Sequence, residues 1–107
     1  MKNILDAIPA DSADEIFESL IDNGSVRIER IISRGHASPE SGWYDQQQNE
    51  WIMVIRGEAK LVFDDGKSVN MREGDYLNIP AHCKHRVEWT APDIETIWLV
   101  VHYQQDR

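Results

Sequence analysis

The chain has 107 residues, enough for one domain and one core. Apolar residues make up 41% and charged residues 28%, the balance of a globular protein rather than a disordered one. Eleven Lys and Arg stand against nineteen Asp and Glu, and a net charge of -8 repels phosphate backbones and anionic lipid, so neither nucleic acid nor membrane is an expected partner.

The N-terminal stretch lacks the apolar run of a signal peptide, and no segment reaches the roughly 20 apolar residues of a membrane span. The expected compartment is the cytoplasm. Residues Asp11 to Asp22 read as a helix. Ser12 and Glu15 have the spacing of a capping box, Ile16, Phe17, Leu20 and Ile21 share one helical face, and Asn23-Gly24 is a stop signal. After Gly24 the period becomes that of a strand. Val26 to Ser33 is the first, and Arg34 to Asn49 follows as a loop rich in Ser, Gly, Pro and Gln. Trp51 to Arg56 and Glu58 to Phe63 are strands with Gly57 between them. Asp64-Asp65-Gly66 is a hairpin turn, followed by a strand from Lys67 to Met71. Tyr76 to Ile79, Arg86 to Trp89 and Ile94 to Tyr103 complete the series. Short strands at regular spacing argue an all-β sandwich or barrel.

Two spaced signals fall on these strands. Glu50, six residues and Gly57 form the first; Gly74, five residues, Pro80 and then His85 form the second. They resemble the second half of G-x5-H-x-H-x3,4-E-x6-G and most of G-x5-P-x-G-x2-H-x3-N, the paired motifs of a small single-domain cupin. His82 stands where the second motif has Gly, and Trp89 where it has Asn. The resemblance runs from about Ser33 to Tyr103. It implies a double-stranded β-helix, the cupin jelly-roll barrel: one domain over 1–107, with a helical segment at 1–24 and the barrel at 25–107. A homodimer is a further implication.

The H-x-H pair is missing. With a four-residue spacer its places fall on Trp43 and Asp45; with three they fall on Tyr44 and Gln46. The resemblance with the longer spacer implies a metal set of Asp45, Glu50 and His85. One imidazole and two carboxylates suit Mn, Fe, Zn or Ni. Loss of two imidazoles leaves a metal-free pocket as the alternative.

Each further pocket candidate has an ordinary reading beside the functional one. His36 is either a loop residue or a replacement imidazole. His82 is either at the surface or at the pocket mouth. His102, in phase with Trp98 and Val100, is either a core histidine or part of the site. Trp43 and Tyr44 either pack or line a pocket for a small ligand, and Gln46 and Trp89 hold motif places. Arg56, in phase with Glu50, either ends a strand in solvent or meets an anionic substrate. Glu50 precedes Trp51-Ile52-Met53-Val54, where a buried carboxylate needs a partner. Cys83 is the single cysteine, so no disulfide forms within the chain and no dithiol chemistry is available. The expected partner is a small organic molecule, acted on by an isomerase, lyase or oxygenase. The alternatives to such a metal-dependent enzyme are a metal-free small-ligand or interaction module and a metal-free acid/base enzyme using Glu50 and His85 directly. No catalytic residue is assigned.

Overall fold

The computed structural model describes residues 1–9, 13–39 and 42–104. Eight strands carry the fold: β1 Ile16–Asp22, β2 Val26–Ser33, β3 Asn49–Arg56, β4 Glu58–Phe63, β5 Ser68–Arg72, β6 Tyr76–Ile79, β7 His85–Thr90 and β8 Thr96–Tyr103. They form two antiparallel sheets, one ordered β1-β2-β8-β3-β6 and the other β5-β4-β7. Ile52, Val54, Ala59, Leu61, Met71, Ile79, Trp98 and Val100 form the core.

The expected N-terminal helix is absent among the described residues. Ile16–Asp22 is a strand, paired antiparallel with β2 from Ile16↔Ile32 to Asp22↔Arg27. Asp11, where the expected helix begins, and Ser12, half of its capping box, lie outside the described residues; Glu15 instead accepts a hydrogen bond from the Ser33 hydroxyl. A seven-residue segment with apolar residues at 16, 17, 20 and 21 satisfies a helical stripe. Pairing with β2 supplies backbone partners along its whole length, and this long-range gain outweighs local propensity. A shift of register between Ser19 and Ile21 makes Leu20 an additional residue, which is why the apolar positions do not alternate.

Residues directly opposite on neighbouring strands face the same side of the sheet. One such row runs Arg27, His102, Glu50 and Ile79 across β2, β8, β3 and β6. The next row inward runs Glu29, Val100 and Ile52, and a third runs Ile31, Trp98 and Val54. Polar groups therefore occupy one end of the inner face and apolar groups the rest. On the opposite face the buried Arg30 guanidinium donates to the Ile4, Asp6 and Ala7 carbonyls and to Glu18, fastening the N-terminal segment to β2.

Two bulges decide which side chains reach the interior. Val54 pairs with Trp98 but Arg56 pairs with Ile97, so Ile55 is an additional residue. Arg56 thereby leaves the face that Glu50, Ile52 and Val54 share, contrary to simple alternation. In β7, Val87 pairs with Leu61 but Trp89 pairs with Lys60, so Glu88 is an additional residue. His85 and Val87 stay on the inner face while Trp89 turns to the surface, where it is 40% exposed.

Candidate functional site

The open end of the inner face is a cavity of about 270 Å³. Glu15, Phe17, Arg27, Glu29, Ile31, Tyr44, Gln46, Glu50, Ile52, Leu61, His85, Val87, Trp98, Val100 and His102 line it. Glu50 and His85 meet there, with Glu50 Oε1 3.3 Å from His85 Nε2. Both side chains are largely buried, at 12% and 6% exposure.

His85 is held from three sides. Its Nδ1–H donates to the Cys83 carbonyl at 2.9 Å, which turns Nε2 toward Glu50. The rings of Tyr44 and Phe63 lie 5.6 and 6.2 Å from the imidazole, centroid to centroid. Burial is the largest influence on the ring and favours its neutral form. The Glu50 hydrogen bond, the Cys83 carbonyl and the Glu50 charge together outweigh burial and raise the imidazole above the ordinary 6.5.

A second imidazole adjoins the pair. His102 Nε2–H donates to Glu29 Oε1 at 2.9 Å; Nδ1 lies 3.1 Å from Gln46 Oε1 and 3.7 Å from Glu50 Oε2. The acid–imidazole series thus runs Glu29, His102, Glu50, His85 across the cavity wall. Sequence reasoning missed Glu29 and Arg27. The available signal was the alternation Arg27, Glu29, Ile31 within β2, which puts two charged groups in phase with an apolar one.

The loop before β3 is fastened to the segment before β7. Tyr44 and His85 exchange backbone hydrogen bonds, the His82 N–H donates to the Gln46 carbonyl, and the Ala81 N–H donates to Asn49 Oδ1. Tyr44 and Gln46 face the cavity; Asp45 between them does not line it. The three-residue spacing therefore describes the fold, with a phenol and a neutral amide in the places of the H-x-H imidazoles.

Asp45 is not brought to Glu50 and His85. It pairs with His82 at 2.8 Å, and both side chains are well exposed. His36 accepts from the Arg34 N–H through Nδ1, and its Nε2–H donates to the Ala13 carbonyl. It fastens a loop and does not line the cavity. Trp43 lies under the Arg86 guanidinium, 4.9 Å from the ring centroid, and does not line it either. Arg56 and Trp89 are carried away by the bulges described above. Cys83 is a half-buried free thiol packed against the core.

The donor set does not fit the divalent metal of the resemblance. Among the described residues no group of three or more His, Cys, Asp or Glu is gathered to hold one ion. The cavity offers a tyrosine and a glutamine at two of the four places. What it does offer is a carboxylate beside a proton-bearing imidazole in a largely apolar enclosure, an arrangement that can move protons.

Comparison with known proteins agrees with this architecture. A family model described as Cupin domain matches residues 31–102. A candidate mannose-6-phosphate isomerase from Ralstonia eutropha JMP134 is 43% identical, with 98% of each chain covered and a TM-score of 0.93. A cupin superfamily protein from Desulfitobacterium hafniense DCB-2 is 18% identical, covering 92% of this chain and 84% of that one, with a TM-score of 0.75. An RmlC-like cupin from Methanocaldococcus jannaschii, with a double-stranded β-helix fold, is 21% identical over 91% and 86%, with a TM-score of 0.71. The last two speak to fold alone. No curated protein matches the chain.

Proposed function

The chain belongs to the cupin family, and on that premise we propose that it isomerises a small hydroxy-carbonyl compound by proton transfer between Glu50 and His85. The observation that carries this reading is the buried 3.3 Å contact of carboxylate and imidazole inside the cavity. The similarity to a candidate sugar-phosphate isomerase supports the reaction class.

In this reading the Glu50 carboxylate removes the proton from the carbon next to the carbonyl. His85, its Nδ1–H fixed on Cys83, donates the Nε2 proton to the carbonyl oxygen, giving an enediol. Glu50 then returns its proton to the neighbouring carbon, and His85 recovers its own from the second hydroxyl. His102, set by Glu29 and Gln46, faces the other Glu50 oxygen and fixes the carboxylate's orientation. The apolar wall of Ile52, Leu61, Val87 and Val100 keeps bulk water from the enediol. Cytoplasmic residence and a homodimer belong to the same reading.

The test is proton exchange in deuterated water, followed by NMR with mannose 6-phosphate as the first substrate. Fructose 6-phosphate accumulates with deuterium at C1, and aldose re-formed from the enediol carries it at C2, with chelator present. Glu50→Gln slows exchange by about 10²–10⁴-fold. Absence of exchange with all the aldose and ketose phosphates tried would sink the reading. Activity that appears only on adding Mn, Fe, Zn or Ni would replace it with the metal-dependent one, in which Glu50 and His85 are ligands.

A further inference from the structure

The cavity wall carries three carboxylates and one guanidinium, and their partnerships are unequal. Glu50 is met by His85, Glu29 by His102, and Glu15 by the Ser33 hydroxyl. Arg27 Nε, by contrast, is buried with no hydrogen-bond partner among the described residues. The nearest acidic oxygen, Glu29 Oε1, is 3.7 Å away, beyond hydrogen-bond length. Arg30 Nε, three residues along, is likewise buried without a partner among the described residues, but three carbonyls and a carboxylate close that arginine's terminal nitrogens, and it does not line the cavity. A guanidinium presents its donors in a planar fork that matches phosphate or carboxylate. Leaving a buried donor open on a cavity wall costs stability unless something fills it.

We propose that Arg27 is the anion anchor of this cavity, receiving the phosphate or carboxylate group of the molecule whose carbons lie against Glu50 and His85. The proposal rests on the proton-transfer reading for the far end of the molecule, but the anion site stands on its own geometry. Arg27, His102 and Glu50 are consecutive members of one cross-strand row. Their backbones are therefore two strand spacings apart, about 9–10 Å. That span suits a chain of several carbons with an anionic group at one end and a carbonyl at the other. Three carboxylates on the wall leave a second anion unwelcome, so the preferred ligand carries its charge at one end only.

The Arg27 side chain is 43% exposed although its Nε is buried, so the residue borders both solvent and the cavity it lines. The role that alternation along β3 assigns to Arg56 thus falls to a residue on β2, because the bulge at Ile55 removes Arg56 from the face.

The probes are inorganic phosphate and acetate, titrated into nitrogen-15-labelled protein while the arginine Nε–H signals are followed. Phosphate or acetate moves the Arg27 Nε–H signal first, and Arg27→Gln weakens that binding by about tenfold or more. Arg27→Lys, which keeps the charge but not the fork, recovers part of it and guards against misfolding of the Gln variant. Arg72→Gln, on the surface beside Glu58, leaves binding unchanged. Tighter binding of phosphate than of acetate assigns a phosphoryl ligand, and the reverse a carboxylate. Undisturbed binding in both Arg27 variants overturns the anchor, as does the absence of binding by either anion. Anion binding lost in Arg27→Gln, with no isomerisation by the wild type, would keep the anchor and discard the proton-transfer reading. Isomerisation that depends on Glu50, with anion binding indifferent to Arg27, would do the opposite.

Discussion

His85 is where local contacts set the chemistry. Burial alone would depress its imidazole; the Glu50 bond and charge, with the Cys83 carbonyl, reverse that sign. Removing Glu50's charge removes most of what opposes burial, and the Cys83 bond that remains is the smaller influence. Glu50→Gln is therefore expected to bring the His85 titration from above 6.5 to below it, read from the ring Cε1–H signal against pH. An unchanged midpoint would mean that the two side chains do not meet in solution.

At the scale of elements, strands were legible from the sequence wherever one face alternates and turn residues bound the run. Val26 to Ser33, Glu58 to Phe63 and Tyr76 to Ile79 match the observed strands residue for residue. Motif spacing singled out Glu50 and His85 although the strands were read as starting one residue later, at Trp51 and Arg86, and the two side chains meet at the cavity. The rest was hidden by single-residue insertions. Leu20, Ile55 and Glu88 each shift the register by one. A shift of one moves every later side chain to the other face, and nothing in local composition announces it. That accounts for the strand read as a helix, and for Arg56 and Trp89 read as inward. Asp45 was misplaced for a related reason, since the choice between three- and four-residue spacers is a choice of face. Gly57 is the element-scale feature that tolerates least change. It joins β3 to β4, where the chain leaves one sheet for the other, at φ +97°. A Cβ there would meet Thr96 Oγ1 at 2.5 Å, Thr96 Cα at 2.6 Å and the Glu95 carbonyl at 2.9 Å. Two of these are backbone atoms with no room to withdraw. Gly57→Ala is expected to cost about 2–4 kcal/mol in urea unfolding. A loss below about 1 kcal/mol would mean that the junction is looser than the contact distances require.

For the whole molecule, two electrostatic effects act on stability and respond differently to salt. The first is self-repulsion from a net charge of -8, spread over the surface and screened within about 3 Å at 1 M salt. The second is the buried Glu50–His85 pair, which solvent ions reach poorly. Because the folded protein holds the His85 proton more tightly than the unfolded chain, it binds more protons above pH 6.5, so stability falls as pH rises. This contribution is fully present below about 6.5 and is lost as pH passes the raised folded value. In Glu50→Gln the folded imidazole binds its proton less tightly than the unfolded one. The sign reverses, and stability now rises with pH up to about 6.5. Thermal melting between pH 5.5 and 8.5, at 0.05 and 1 M salt, separates the two effects. High salt is expected to raise the melting temperature of both proteins at pH 8, where repulsion is strongest. The decline with rising pH is expected to survive 1 M salt in the wild type and to be absent in the variant. A decline that salt abolishes, or that Glu50→Gln retains, would assign the pH dependence to surface charge rather than to the pair in the cavity.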